Sequence, residues 1–220
     1  MIMAIRIFVE GIADSKFLND FISYNYKIDL GNEDIIETKG CTNILSEKSG
    51  GEFIKNQMYK NSDNDGTNLL IFDADKNYSE RLQEIIEWRD KNSLDFEIFL
   101  WPNNKDTGDL ETVLEKIINP KNAPIFECWN GYEDCLKSKK INDRKSSLTI
   151  PAKKTKIYGY LEALLGESKS QKDKIKERNR EYKNEEHWDL NSECLNEIKN
   201  FLIIIFNKHS WQHALKGIGD

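Results

Sequence analysis

The chain contains no long apolar run. Its most hydrophobic late segment, Phe201 to Phe206 (FLIIIF), is far shorter than the ~20 apolar residues that span a bilayer, so no membrane partner is expected. The first residues pass directly into a strand-like pattern. They lack the basic stretch and extended apolar segment of a secretory leader, and none is expected. The four cysteines, Cys41, Cys128, Cys135 and Cys194, form no CxxC pair. Scattered through a domain of ordinary size, they point to a reduced, cytoplasmic setting and away from a zinc cluster. Histidine is scarce as well: there are 3, and His209 and His213, although spaced to share a helix face, read as surface residues rather than metal ligands. No internal repeat is visible. The only biased tract is the Lys/Glu-rich stretch from Lys169 to Glu186.

Charge, by contrast, is plentiful. Charged residues make up 32% of the 220-residue chain against 38% hydrophobic, which predicts a globular protein with several mostly solvated helices. The length suits one large domain, or a core with an extension. The formal net charge of -6 argues at first against a nucleic-acid partner, but its distribution argues otherwise. Between Lys137 and Lys156 stand Lys137, Lys139, Lys140, Arg144, Lys145, Lys153, Lys154 and Lys156, with Asp143 the one acid. A second, weaker excess runs from Lys169 to Lys183. An acidic body thus carries a basic C-terminal third, a pattern that suits phosphate-backbone contact by one face. A solvated loop and a solvated helix would have the same composition.

Periodicity predicts a strand over Ala4 to Val9, then a helix with Phe17, Leu18, Phe21 and Ile22 on one face. A second strand is expected around Asp34 to Thr38 and a helix over Gly51 to Tyr59, with Asn61 to Asn68 a loop by its turn residues. Leu69 to Phe72 is a continuous apolar run, the pattern of a central parallel strand. A helix over Tyr78 to Asp90 would turn Leu82, Ile85 and Ile86 inward, and Phe96 to Trp101 would form the fourth strand, stopped by Pro102. Further helices are predicted over Leu110 to Ile118, Ile125 to Lys137, Lys156 to Leu165 and Cys194 to Lys208. The alternation is that of an α/β fold: a four-stranded, mainly parallel sheet in residues 1–118, with a helical, basic extension over 119–220 packed on it.

Ligands of open α/β sheets bind beyond the carboxyl ends of the strands. Glu10 ends the first strand, and Asp73 and Asp75 (DAD) end the third. Burying a charge at the tip of an apolar strand is costly unless something pairs with it. Alternation in an extended DxD would direct Asp73 and Asp75 to one side. Clustered carboxylates raise one another's pKa or demand a cation, and hard oxygen ligands suit magnesium or manganese. Asp14, one turn after Glu10, and Glu111, just beyond the fourth strand in GDLE, are candidate further ligands. As first-turn acids, both also read as ordinary helix caps.

VEGIADSKFL and LLIFDADKN, followed by LWPNN and GDLE, resemble the Toprim domain of topoisomerases, primases and nucleases, whose mark is a glutamate ending the first strand and a DxD ending the third. The stretch from Ala4 to Trp101 is similar to a small stand-alone Toprim-like family of bacterial proteins without an assigned function, and to the Toprim half of the OLD-family nucleases. The resemblance implies a Rossmann-like core. It implies Mg2+ or Mn2+ held by Glu10, Asp14, Asp73, Asp75 and Glu111, with Glu10 as general acid or base. It also implies an assisting lysine later in the chain, for which Lys156 is the first candidate and Lys154 the second. Lys76-Asn77-Tyr78 after the DxD departs from topoisomerases and from the 5S-rRNA-maturing nuclease.

The expected function is metal-dependent phosphoryl transfer on DNA or RNA, as a nuclease, with Lys137, Lys139, Lys140, Arg144, Lys145, Lys153 and Lys154 on the backbone phosphates. Two alternatives stand beside it. One is a metal and nucleotide or nucleic-acid binding module without turnover. The other is a haloacid-dehalogenase-type phosphatase, which leaves Glu10 unexplained. A separately encoded protein partner and self-association remain compatible with these residues.

Overall fold

In the computed structural model, described over residues 5–31, 33–45 and 49–208, β1 (Ile5–Val9) forms the middle of the architecture. It pairs in parallel with β2 (Ile35–Glu37) on one side and β3 (Thr67–Asp73) on the other, and β3 pairs in parallel with β4 (Glu97–Trp101). The order β2-β1-β3-β4 makes the described sheet wholly parallel, where a mainly parallel one was expected. Apolar runs explain the central strands: Leu69, Leu70, Ile71 and Phe72 are each buried completely, as both faces are covered.

Alternation sends Ile5, Ile7, Val9, Leu69, Ile71, Phe99 and Trp101 to one face. There they meet α1 (Ile12–Tyr26), α5 (Leu110–Lys116), α7 (Lys153–Leu165) and α9 (Asn196–Lys208) in one hydrophobic cluster. Phe8, Leu70, Phe72 and Leu100 face the other way, toward α2 (Cys41–Leu45), α3 (Ser49–Ser62) and α4 (Tyr78–Lys91). The result is a three-layer sandwich. Residues after 119 therefore share the core of the sheet: Tyr160, Tyr182, Trp188 and Phe206 are buried in the same cluster as β1.

Several expectations change. Ala4, His209 and His213 lie outside the described residues. α2, a five-residue CTNIL helix, was not expected. In α4, Ile85 and Trp88 are buried, while Leu82 and Ile86 are only partly covered. α6 (Ala123–Ser138) buries none of its residues fully. The charged tract from Lys169, read as solvated, holds only a short helix, α8 (Lys169–Asp173), and then buries Ile175, Arg180 and Tyr182. Among the described residues no helix is long and apolar enough to cross a membrane. The four cysteines are free thiols, with Cys41 buried and Cys128 and Cys135 exposed.

Candidate functional site

The chain leaves β1 to build β2 on one side and returns to build β3 on the other. The crevice between the carboxyl ends of β1 and β3 is thus the switch point of the sheet. Glu10 and Asp73 stand at its two lips. The Glu10 side chain ties the strand ends together: Oε1 accepts from the Asp73 N–H at 3.1 Å and Oε2 from the Cys41 N–H at 3.3 Å. Asp73 Oδ1 accepts from the Leu110 N–H at 3.0 Å, at the start of α5. A cleft of ≈ 290 Å³ opens here, lined among others by Glu10, Asp14, Asp73, Glu111, Lys39 and Lys154.

Asp14 sits in the first turn of α1 because Gly11 caps that helix, and its Oδ2 accepts from the Gly11 N–H at 3.3 Å. The capping interpretation is therefore correct for that oxygen. The other oxygen, Oδ1, is buried with no hydrogen-bond partner, on a residue only 7% exposed. Glu111 occupies the first turn of α5, whose N-cap is Asp109.

Four carboxylates in one crevice are costly to ionise together. Burial, then the charges of Glu10 and Glu111, push Asp14 up to about 7. Burial, then Asp14, Glu10 and Glu111, push Asp73 up to about 9. Burial also raises Glu10, against the two backbone N–H groups that favour its charge. Burial raises Glu111, with Lys154 opposing. Their oxygens are hard donors of the kind magnesium takes. As placed, no three His, Cys, Asp or Glu side chains among the described residues are close enough to cage an ion.

Asp75 departs from its expected direction. Its backbone is left-handed (φ 54°), so alternation ends at Ala74. Its N–H and carbonyl bond Gly108 in both directions at 2.8 Å. Gly108 itself has φ 144°, and a Cβ there would lie 2.9 Å from Thr112 Oγ1. The Asp75 carboxylate pairs with Arg81 of α4, outside the cleft lining. Asp75 still acts on Glu10 through its charge.

The two candidate lysines are placed apart. α7 begins at Lys153 rather than Lys156. Lys156 does not line the cleft: its Nζ donates to Asn130 at 3.0 Å and lies over the Phe126 ring at 4.6 Å. Lys154, the second candidate, lines the cleft and pairs with Glu177 at 2.5 Å. Lys153 donates to Thr112 Oγ1 at 2.6 Å and pairs with Asp109 at 3.2 Å. Of the remaining basic set, Lys137 pairs with Asp134 at 2.9 Å and Arg144 Nε donates to the Ser146 carbonyl. Lys139, Lys140 and Lys145 are exposed on the stretch after α6.

Sequence reasoning missed Lys39 and Glu177, both of which line the cleft. Lys39 was accessible to the strand-end rule, since it follows β2 by two residues. Glu177 lies in a single 3-10 turn after α8 and carries no such signal.

No curated protein and no solved structure matches the chain. The model of the family described as "Protein of unknown function (DUF3226)" matches residues 5–207, and the chain belongs to that family.

Proposed function

We propose that the cleft is the active site of a Toprim-like, metal-dependent phosphoryl-transfer enzyme, a nuclease acting on DNA or RNA. The observation that carries this reading is the orphan Oδ1 of Asp14. A buried carboxylate oxygen without a donor costs about 1–3 kcal/mol or more, and Asp14 lines a crevice with three further raised carboxylates. A divalent cation resolves both problems at once by accepting that oxygen and favouring the ionised forms.

Magnesium keeps several waters and takes only one or two direct carboxylates, so a three-ligand cage is not required. Asp14 and Asp73 would hold the ion, with Glu111 and Glu10 supporting its waters. Once bound, such an ion activates a water and stabilises the leaving oxygen. Glu10, raised by burial, suits proton transfer. Lys154, which lines the cleft, is the cation for a non-bridging phosphate oxygen. Lys139, Lys140 and Lys145 supply backbone contact farther out.

The test is a cleavage panel of supercoiled plasmid, linear duplex, single-stranded DNA and structured RNA with Mg2+, Mn2+ or chelator, run beside Asp14→Asn and Asp73→Asn. Cleavage lost in both variants and in chelator is the expected result. Metal-dependent binding with every substrate intact would replace the enzyme with a binding module.

A further inference from the structure

Outside the cleft, the chain between α8 and α9 buries a positive charge. Arg180 is 3% exposed. Its Nη1 donates to Tyr182 Oη and its Nη2 to the Ile175 carbonyl, both at 3.2 Å, and its guanidinium carbon lies 5.1 Å from the centre of the Tyr158 ring. Its Nε is buried without an acceptor. The acids closest to it along the chain are bound to other cations: Asp173 to Lys176 at 2.6 Å, Glu177 to Lys154 at 2.5 Å and Glu181 to Lys174 at 2.9 Å. The guanidinium thus has no carboxylate partner among the described residues.

A second orphan donor belongs to a residue that lines the same cavity. Trp188 is 1% exposed and its Nε1 has no acceptor. Arg180 and Trp188 both line a cavity of ≈ 40 Å³, walled by Leu161 and Leu165 and edged by His187 and the Lys174–Glu181 pair. Two buried donors without acceptors are each destabilising, and an uncompensated buried charge is more so. Ring faces offset only part of that charge. The volume exceeds the ~10–15 Å³ that admits one water-sized occupant, yet it is too small for a phosphate ester or a carboxylate metabolite. A water would satisfy the donors but not the charge.

We propose that this cavity is a binding site for one small monovalent anion of the halide class, held by Arg180 Nε and Trp188 Nε1. The site has a structural consequence. Arg180 bonds Tyr182, whose ring packs edge-on against Phe17 at 5.2 Å and whose N–H donates to Asp20 at 2.9 Å. An anion that fixes Arg180 therefore fixes the segment packed on α1. This proposal does not depend on the function assigned to the acidic cleft.

The experiment is thermal unfolding of the full chain at constant ionic strength, exchanging sodium gluconate, too bulky for the cavity, for sodium chloride or bromide. At an anion concentration tenfold above its dissociation constant the folded-to-unfolded ratio rises about elevenfold, a Tm increase of roughly 3–6 °C for a chain of this size. Trp188→Phe, which keeps an aromatic ring and removes one donor, should shift the chloride midpoint upward about 2- to 10-fold. Arg180→Met should abolish the anion dependence. Bromide-soaked crystals should show an anomalous peak in the cavity. Equal Tm in all three salts would overturn the proposal. So would an anion dependence that both variants retain, or a cavity occupied only by water while bromide sits elsewhere. If Arg180→Met does not fold, Trp188→Phe and the bromide peak decide.

Discussion

Replacing Asp73 with asparagine in the presence of chelator should make the protein more stable at high pH. In the folded chain Asp73 keeps its proton up to about pH 9, against an ordinary value of 3.8. Folding therefore takes up a proton between those values, and stability falls as pH rises through that window, by at most about 1.4 kcal/mol per unit. Asp14, raised to about 7, adds to the fall below neutrality and little above it. From pH 7 to 9 the Asp73 contribution is then at most ~3 kcal/mol, and smaller where water and side-chain relaxation screen the site. For a chain of this size that corresponds to a Tm loss of up to roughly 6–12 °C. Asparagine carries no charge, and its carbonyl can still accept from the Leu110 N–H. Urea unfolding of wild type and Asp73→Asn at pH 7, 8 and 9 measures the difference. The variant should lose the slope that the wild type shows, and saturating Mg2+ should flatten the wild-type slope as well. Parallel slopes for the two proteins in chelator would refute the idea that carboxylate crowding strains this crevice.

Four further outcomes follow from the same geometry. Glu10→Gln places an amide donor against one of two backbone N–H groups and should destabilise by about 1–3 kcal/mol in denaturant titration; unchanged stability would mean Glu10 does not tie the strand ends. Lys154→Met should lower cleavage about 10- to 100-fold, the worth of one charge-assisted hydrogen bond, while Lys156→Met should stay near wild type; the reverse order would restore Lys156 as the site lysine. Changing Lys139, Lys140 and Lys145 together to Gln should reduce the slope of log K against log salt by about 2–3 in filter binding, and an unchanged slope would remove that segment from the interface. Gly108→Ala, at φ 144° with Thr112 Oγ1 2.9 Å from the new methyl, should cost about 1–3 kcal/mol, read as a lower denaturation midpoint.

The strands were legible because both faces of a parallel sheet are buried, so that Ile7 to Val9, Leu69 to Phe72 and Ile98 to Trp101 read as unbroken apolar runs. Glu10 and Asp73 were legible from position, since ligands of open α/β sheets bind beyond the carboxyl ends of the strands; that β1 and β3 are neighbours came from the sheet order. The direction of Asp75 was not legible. It depends on a left-handed residue held by two hydrogen bonds exchanged with Gly108 and on an ion pair with Arg81, all made with residues outside the DxD itself. The lysine assignment turned on three residues of helix. Positions 154 and 156 are about 200° apart on a helix, so starting α7 at Lys153 lets one face the cleft while the other packs on Phe126. The charged tract after Lys169 concealed its buried residues for another reason. Ile175, Arg180 and Tyr182 sit on short turns with no period of their own, so neither helical nor strand spacing marks them.

That same tract explains why the acidic crevice depends on the second half of the chain. α1 carries Asp14 and is anchored from outside the sheet. Asp20 of α1 accepts from the Tyr182 N–H and pairs with Lys16, and Phe17 packs against both Tyr182 and Trp101. The turn that leads into this contact delivers Glu177, and Glu177 holds Lys154 at the rim. The sheet alone brings Glu10 and Asp73 together, with Glu111 just beyond β4. Two residues of the cleft lining, Lys154 and Glu177, and the Tyr182 N–H that anchors Asp20 of α1 all come from residues after 150. A crevice with this much like charge is stable only if its walls are held by packing elsewhere. Here Tyr182, Trp188 and Tyr160 supply that packing, buried in the cluster that also contains Phe17.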